Sequence, residues 1–410
     1  MKRLKTISRL SVVARLLLSS FIFTVAADFG GGFTAHAQVA APIGAKARAV
    51  NVSETPKPIA QLPVWALGPF VRPANVNPVI SPLSSTSFFD PMQQKQLDWE
   101  SNDTFNPAAT VKDGKIYVLY RAEDKTGIAI GHRTSRIGLA ESKDGTTMKR
   151  RDAPVLFPGD DDQKEFEWTG GCEDPRIAVT EDGTYLVLYT QWNKKKPRLG
   201  SATSRDLITW KKHGPIFQDA YQGKFHNIAS KSASILTVLK NGKLVITKHQ
   251  GKYWMYWGEN HVYAATSENL VDWAPVLNAD GTLKQLASPR KGYFDSTLTE
   301  CGPPAILTSQ GIVLLYNGKN GTGANSDPNY TANSYCAGQM LFSAEEPAKY
   351  ITRLDKPFMV PTESFEKSGQ YPAGTVFIEG LVYFKNKYML YYGCADSRVS
   401  VAVYDPSKKK

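Results

Sequence analysis

Cysteine is scarce in this 410-residue sequence: only Cys172, Cys301, Cys336 and Cys394. Four in so long a chain cannot build a disulfide scaffold. The even count permits pairing in an exported protein, but mostly buried thiols are expected, with a single bridge as the minority alternative. No cysteine or histidine spacing matches a metal site, so no metal or organic cofactor is expected. Helical periodicity of useful length is missing, which argues against bundle and α/β classes. Beyond the N-terminal region no apolar run is long enough to cross a bilayer. The formal charge of +11 is not gathered into a basic stripe, so a nucleic-acid partner is disfavoured.

The composition, 42% hydrophobic and 21% charged, suits a globular domain with a large core. Lys2, Arg3, Lys5, Arg9 and Arg15 precede a mostly apolar run, Leu16 to Ala27, and the small-x-small tripeptide Ala35-His36-Ala37. This reads as a signal peptide over 1–37, cleaved before Gln38, and predicts an exported, periplasmic or secreted protein with no membrane attachment after cleavage. An uncleaved anchor is the alternative. Those residues carry five basic groups and one acid, a net of +4, which leaves +7 on the mature chain. Residues 38–75, rich in Ala, Pro and Val, read as a linker that becomes an N-terminal arm. Residues 76–405 form the catalytic domain and 406–410 a basic tail.

A repeat runs through that domain. The stretches 108–121, 176–190, 234–249, 304–316 and 376–391 each show two short β runs around a tight turn. Asp113-Gly114, Asp182-Gly183, Asn241-Gly242, Gln310-Gly311 and Lys385-Asn386-Lys387 mark those turns. Third strands follow at Arg136–Ser142, Arg198–Ser204 and His261–Ser267, and short proline-bounded fourth strands at 154–158, 215–217 and 357–361. Copies recur about every 50–70 residues. The pattern predicts an all-β protein, a five-bladed β-propeller of four-stranded antiparallel blades. The last copy lacks an outer strand, which Pro78-Val79-Ile80-Ser81-Pro82 would supply, closing the ring. An irregular β-sandwich is the alternative.

Gly170-Gly171-Cys172-Glu173-Asp174-Pro175-Arg176 opens the second copy. Pro175 should hold Asp174 extended, so that Glu173 and Asp174 point to opposite sides of the strand. One acid would face a cavity and the other a structural partner; a surface turn with an Asp174–Arg176 pair is the plain alternative. First strands of a propeller line its channel, so the copies should deliver Asn106, Glu173 with Asp174, Lys231 between Ser230 and Ser232, Asp295 with Glu300, and Gly374-Thr375 to one mouth. Second-strand ends add Arg121, Glu123, Asp124, His249 and Asp396. Tyr and Trp residues of 252–257 could stack on a sugar, half of them being core. Carboxylates mixed with cations suit a polyhydroxy substrate and an anion, since such groups are seldom buried unpaired.

Phe105-Asn106-Pro107-Ala108, Leu119–Asp124, Thr134–Ala140, Gly171–Arg176, Tyr335–Gln339 and Tyr391–Ser397 resemble, in order over residues 75–405, glycoside hydrolase family 130, the β-mannoside phosphorylases and their hydrolytic relatives. The branch acting on 4-O-β-D-mannosyl-D-glucose looks most similar. The resemblance implies a five-bladed propeller and Asp174 as general acid, its proton relayed through the mannose 3-hydroxyl. It implies inorganic phosphate as co-substrate and nucleophile, giving α-mannose 1-phosphate by inversion. Arg121, Arg136, Lys231, His249 and Arg176 are then the expected phosphate ligands, and Asn106, Glu123, Asp124, Glu173, Asp295, Glu300 and Asp396 the expected sugar ligands. An exported hydrolase on the same scaffold and a non-catalytic glycan-binding propeller are the competing readings. Self-association is left open.

Overall fold

The computed structural model describes residues 61–408. The expected signal sequence, the first part of the arm and the last two lysines lie outside the described residues. The first elements are a hairpin, β1 (Phe88–Asp90) and β2 (Lys95–Leu97). An antiparallel meander follows: β3 (Asp103–Lys112), β4 (Lys115–Glu123), β5 (Ser135–Ser142) and β6 (Lys149–Arg150). A single turn, α1 (Lys164–Glu167), leads to the next: β7 (Gly171–Val179), β8 (Tyr185–Trp192), β9 (Pro197–Ser204) and β10 (Lys211–Pro215). The third group is β11 (Ala233–Lys240), β12 (Lys243–Ile246), β13 (Lys248–His249), β14 (Lys252–Trp257), β15 (Tyr263–Ser267) and β16 (Trp273–Pro275). β17 (Leu298–Cys301), β18 (Ala305–Thr308), β19 (Gly311–Lys319), β20 (Tyr335–Phe342) and β21 (Tyr350–Arg353) form the fourth. The last is β22 (Val376–Phe384), β23 (Lys387–Cys394) and β24 (Arg398–Tyr404).

The turn chemistry behaves as the sequence dictates. Asp113 and Gly114, Asn241 and Gly242, and Lys385 and Asn386 all have positive φ, as the two-residue turns that match strand twist require. Hydrophobic clusters fill the space between consecutive sheets and also join the last sheet to the first. This all-β architecture is compatible with a β-propeller. Beside β24, Val71 pairs with Val403 and Ile80 with Val399, both antiparallel, so the 71–80 stretch touches the edge of the last sheet through single bridges rather than as a strand. The described end of the arm is therefore not a free linker: Ala66 and Phe70 are buried and pack on the last two sheets.

One polar device recurs. In four sheets a buried second-strand tyrosine donates its hydroxyl to a buried carboxylate that also holds a cation. Tyr120 with Glu100 and Arg150, Tyr189 with Glu167 and Lys212, Tyr316 with Asp295 and Arg353, and Tyr392 with Glu366 and Arg72 make the sets. Each acid is satisfied by a hydroxyl and a charge, which makes its burial tolerable. In the third sheet Tyr256 donates to the Pro347 carbonyl instead.

That third sheet also departs from the expected copy. The chain breaks after Ile246, and β14, not the 243–249 run, pairs with the start of β11. Half of the run 252–257 is core, as expected: Met255, Tyr256 and Trp257 are fully buried, with Trp257 stacked on Tyr263 at 4.8 Å, while Tyr253 and Trp254 are half-buried.

Candidate active site

The site grows from irregularities in the inner strands. β3 bulges between Phe105 and Pro107, β7 between Glu173 and Arg176, and β22 between Ile378 and Gly380. A bulge re-aims the side chain it carries. Asn106 and Asp174 each precede a proline yet have φ of 46° and 49°. This corrects the expectation of an extended Asp174: the left-handed backbone at the bulge overrides the bias of the following proline. It also brings both acids of the pair to one guanidinium instead of sending them to opposite sides.

Arg121 is that guanidinium. Nη1 donates to Asp174 Oδ1 at 3.0 Å, and Nη2 to Glu173 Oε1 at 2.8 Å and Glu123 Oε1 at 2.7 Å. Nε donates to Ser135 Oγ at 2.9 Å, and the Phe105 ring lies beneath at 4.6 Å. Asn106 Nδ2 donates to Asp174 Oδ1 at 2.8 Å. Lys231 Nζ lies 3.6 Å from Asp174 Oδ2 and 3.9 Å from Glu259 Oε1. The acid and Glu259 are thus no further apart than those two distances together, about 7.5 Å. Gly171 has φ 102°, and a Cβ there would meet the Ser135 carbonyl at 2.1 Å, so only glycine lets β7 pass this close to β5.

Arg176 underlies the floor. It donates to the carbonyls of Asp174 at 3.0 Å and Cys301 at 2.9 Å, and its Nη atoms sit 2.8 Å from Glu379 and 3.7 Å from Glu300. Ser232 donates to Glu300. The surface turn with an Asp174–Arg176 side-chain pair does not form; Arg176 turns to Glu379, which sequence reasoning missed. Its signal was a lone acid inside the apolar run Val376-Phe377-Ile378-Glu379-Gly380-Leu381.

Electrostatics separate these carboxyls. Burial raises the proton affinity of Asp174, but Arg121, Lys231 and Arg176 outweigh it and hold the carboxyl well below the usual range. Glu173 is pushed up to about 7 by burial, against the pull of Arg121. Glu300 also rises to about 7, through burial and the nearby Glu259, against Lys231 and Arg176. Asp396 reaches about 7 by burial and by repulsion from Asp174 and Glu123. Burial drives Glu379 well above its ordinary value. Burial disfavours the Lys231 ammonium, but Glu259, Asp174 and Glu300 hold it charged.

Several expected ligands lie elsewhere. Arg136 is wholly buried, and its donors are taken by Asp90, by Asp124 at 3.0 Å and by the Thr134 carbonyl. It staples the β1–β2 hairpin to the end of β4, leaving neither Arg136 for phosphate nor Asp124 for sugar. His249 sits in β13 with Nε2 donating to the Ala344 carbonyl. Asp295 belongs to the Tyr316 set, held by Arg290 at 3.1 Å and Arg353 at 3.0 Å. Thr375 is buried, while the fifth sheet contributes Glu379 and Asp396 instead. All four cysteines are buried free thiols. Among the described residues no three His, Cys, Asp or Glu side chains are grouped to hold a metal ion.

The family model described as beta-1,4-mannooligosaccharide phosphorylase matches residues 72–408. The chain belongs to glycoside hydrolase family 130. It is an enzyme of that family, whose curated relatives are mannoside phosphorylases acting on β-1,2 and β-1,4 mannosides. A 1,2-beta-oligomannan phosphorylase from Thermoanaerobacter sp. is 30% identical over 77% of this chain and 94% of its own. A solved structure of a putative glycosidase from Bacteroides thetaiotaomicron is 62% identical, covering 85% of this chain and 99% of that one, with a TM-score of 0.84. Another, 63% identical over 85% and 97% with the same TM-score, accompanies the statement that the GH130 family of mannoside phosphorylases contains glycoside hydrolases that target beta-1,2 mannosidic linkages in Candida mannan. The matched residues include the bulged strands and Arg121.

Proposed function

We propose that this family 130 enzyme cleaves a β-mannoside with inversion, using water as acceptor, and that the linkage is β-1,2. The observation that carries this reading is the state of the cations. Arg121 and Arg176 each lie within 3.0 Å of a carboxylate inside the site, and Arg136 is used up away from it. A phosphate dianion would have to displace those acids and then sit beside Glu259, Glu300 and Glu173. Carboxylates near an ammonium instead favour a bound water. Inverting glycosidases keep acid and base about 6.5–9.5 Å apart to make room for that water. Asp174 and Glu259, both beside Lys231 and at most about 7.5 Å apart, are the carboxyls available for those two roles. The 63% identity to a chain discussed among β-1,2-targeting hydrolases supports both acceptor and linkage.

In this reading Asp174 donates the proton through a sugar hydroxyl. A mannose seated against it strips the carboxylate of its remaining water, which raises its proton affinity, and the proton it then takes from solvent is the one it passes to the leaving oxygen. Glu300 and Glu259, whose charges both act on the Lys231 ammonium, are the acids that accept the proton of the attacking water. The sheets form five blades, with Pro78–Pro82 completing the last. The protein is exported, and the reaction calls on no cofactor.

Phosphorolysis is the second reading. It is favoured by the curated relatives, all named phosphorylases, and by Lys231, whose ammonium reaches the mouth. Incubation with β-1,2- and β-1,4-mannobiose, each with and without inorganic phosphate, separates the readings. Water as acceptor gives mannose at a rate indifferent to phosphate.

A further inference from the structure

Lys319 is the last residue of β19 and has no part in the reaction as drawn. Register places it. Glu300 of β17 faces Asn317, Leu298 faces Lys319, and Lys319 faces Tyr335 of β20. Directly opposed residues share a face of a sheet, as do residues two apart along a strand. Lys319 and Tyr335 therefore continue the face that carries Glu300, toward the strand ends. The ammonium lies 5.2 Å from the Tyr335 ring centre and 5.6 Å from that of Tyr371, and the two rings meet edge-on at 5.4 Å. Among the described residues no carboxylate comes within ion-pair distance of Nζ. Burial lowers the ammonium's pKa below the ordinary lysine value, with Asp396, Glu259 and Glu300 the nearby charges that oppose this. Those acids come from both the Asp174 side and the Glu300 side of the site.

We propose that Lys319, framed by Tyr335 and Tyr371, is a binding subsite for the leaving-group sugar and selects the substrate through that sugar's hydroxyls. A half-buried ammonium held by ring faces alone has N–H donors to fill. Sugar hydroxyls are neutral acceptors, and tyrosine rings offer flat faces for the C–H side of a pyranose. The surrounding acids select a neutral polyol over an anion. Inversion puts the departing sugar on the acid's side of the scissile bond, the side on which Asp396 lies near both Asp174 and Lys319. This deepens the hydrolytic reading and rests on it.

The test is Lys319→Met, with Lys319→Arg as the conservative partner, assayed on β-1,2-mannobiose and on 4-nitrophenyl β-mannoside, whose leaving group has no sugar hydroxyls. The ratio of the two kcat/KM values is the readout. Lys319→Met should shift it about 10- to 100-fold against mannobiose, mainly through KM, as expected for losing hydrogen bonds from a charged donor. Lys319→Arg should recover part of the shift. A parallel loss on both substrates, no loss on either, or a change in phosphate dependence without a change in the ratio would overturn the subsite. Calorimetric titration with mannobiose keeps the two proposals distinguishable. Weaker binding by Lys319→Met in a protein that does not use water would fault the acceptor and uphold the subsite. Unchanged binding would fault the subsite alone.

Discussion

Replacing Glu300 with Gln should stabilise the protein at alkaline pH while abolishing its hydrolytic activity. Burial and Glu259 lift this carboxyl from an ordinary 4.5 to about 7. A group whose folded pKa lies above its unfolded one costs nothing while protonated in both states. The cost appears as pH rises from about 4.5 and is complete above about 7. At about 1.4 kcal/mol per pH unit, the ionised carboxylate costs the fold about 3 kcal/mol at pH 8. Glutamine keeps the shape and can still accept the Ser232 hydrogen bond without the charge. For a domain of this size about 3 kcal/mol corresponds to a rise in Tm of roughly 3–6 °C. At pH 5 the two proteins should melt within about 1 °C of each other, because Glu300 is then protonated. Calorimetric melts of both at pH 5 and pH 8, with activity measured alongside, test this. A Tm difference that does not depend on pH, or a variant less stable than the parent at pH 8, would refute the reasoning.

Arg121→Leu leaves Glu123, Glu173 and Asp174 buried without their shared cation; a loss of at least about 3 kcal/mol is expected in chemical denaturation, together with inactivity. Tyr316→Phe removes one donor from Asp295, still held by two arginines, and should cost about 1–2 kcal/mol with kcat/KM unchanged, which would separate this acid from the sugar site. Gly171→Ala must open the approach of β7 to β5; activity should fall at least about tenfold, read at a temperature where circular dichroism still reports a folded chain.

The strands and their hairpin turns were legible because turn dipeptides and strand periodicity are local properties. The pairing of 78–82 with the last strand followed from counting strands per copy. In the third sheet the hairpin around Asn241-Gly242 was legible, but the break after Ile246 was not: β12 pairs with the end of β11, and packing brings β14 to its start. At the site, the residues beside Asp174 were legible as polar groups at strand starts. Their geometry was not: a proline ordinarily forces its predecessor to extend, and the bulges at Asn106 and Asp174 reverse that. Arg136, Asp295 and Asp124 looked like ligands because a buried staple and a binding group use the same residue types. Burial decides between them, and burial is a property of the assembled sheets. Glu379 and Lys319 were passed over because each is a single charge in an apolar strand with no motif around it.

In the proposed reaction, carboxylates stand where a phosphorylase would hold phosphate. Incubation of the enzyme with β-1,2-mannobiose, followed by proton NMR of the anomeric signals, tests it most directly. α-Mannose should be the first product, formed at the same rate with and without inorganic phosphate. Accumulation of α-mannose 1-phosphate at a rate that rises with phosphate would contradict it.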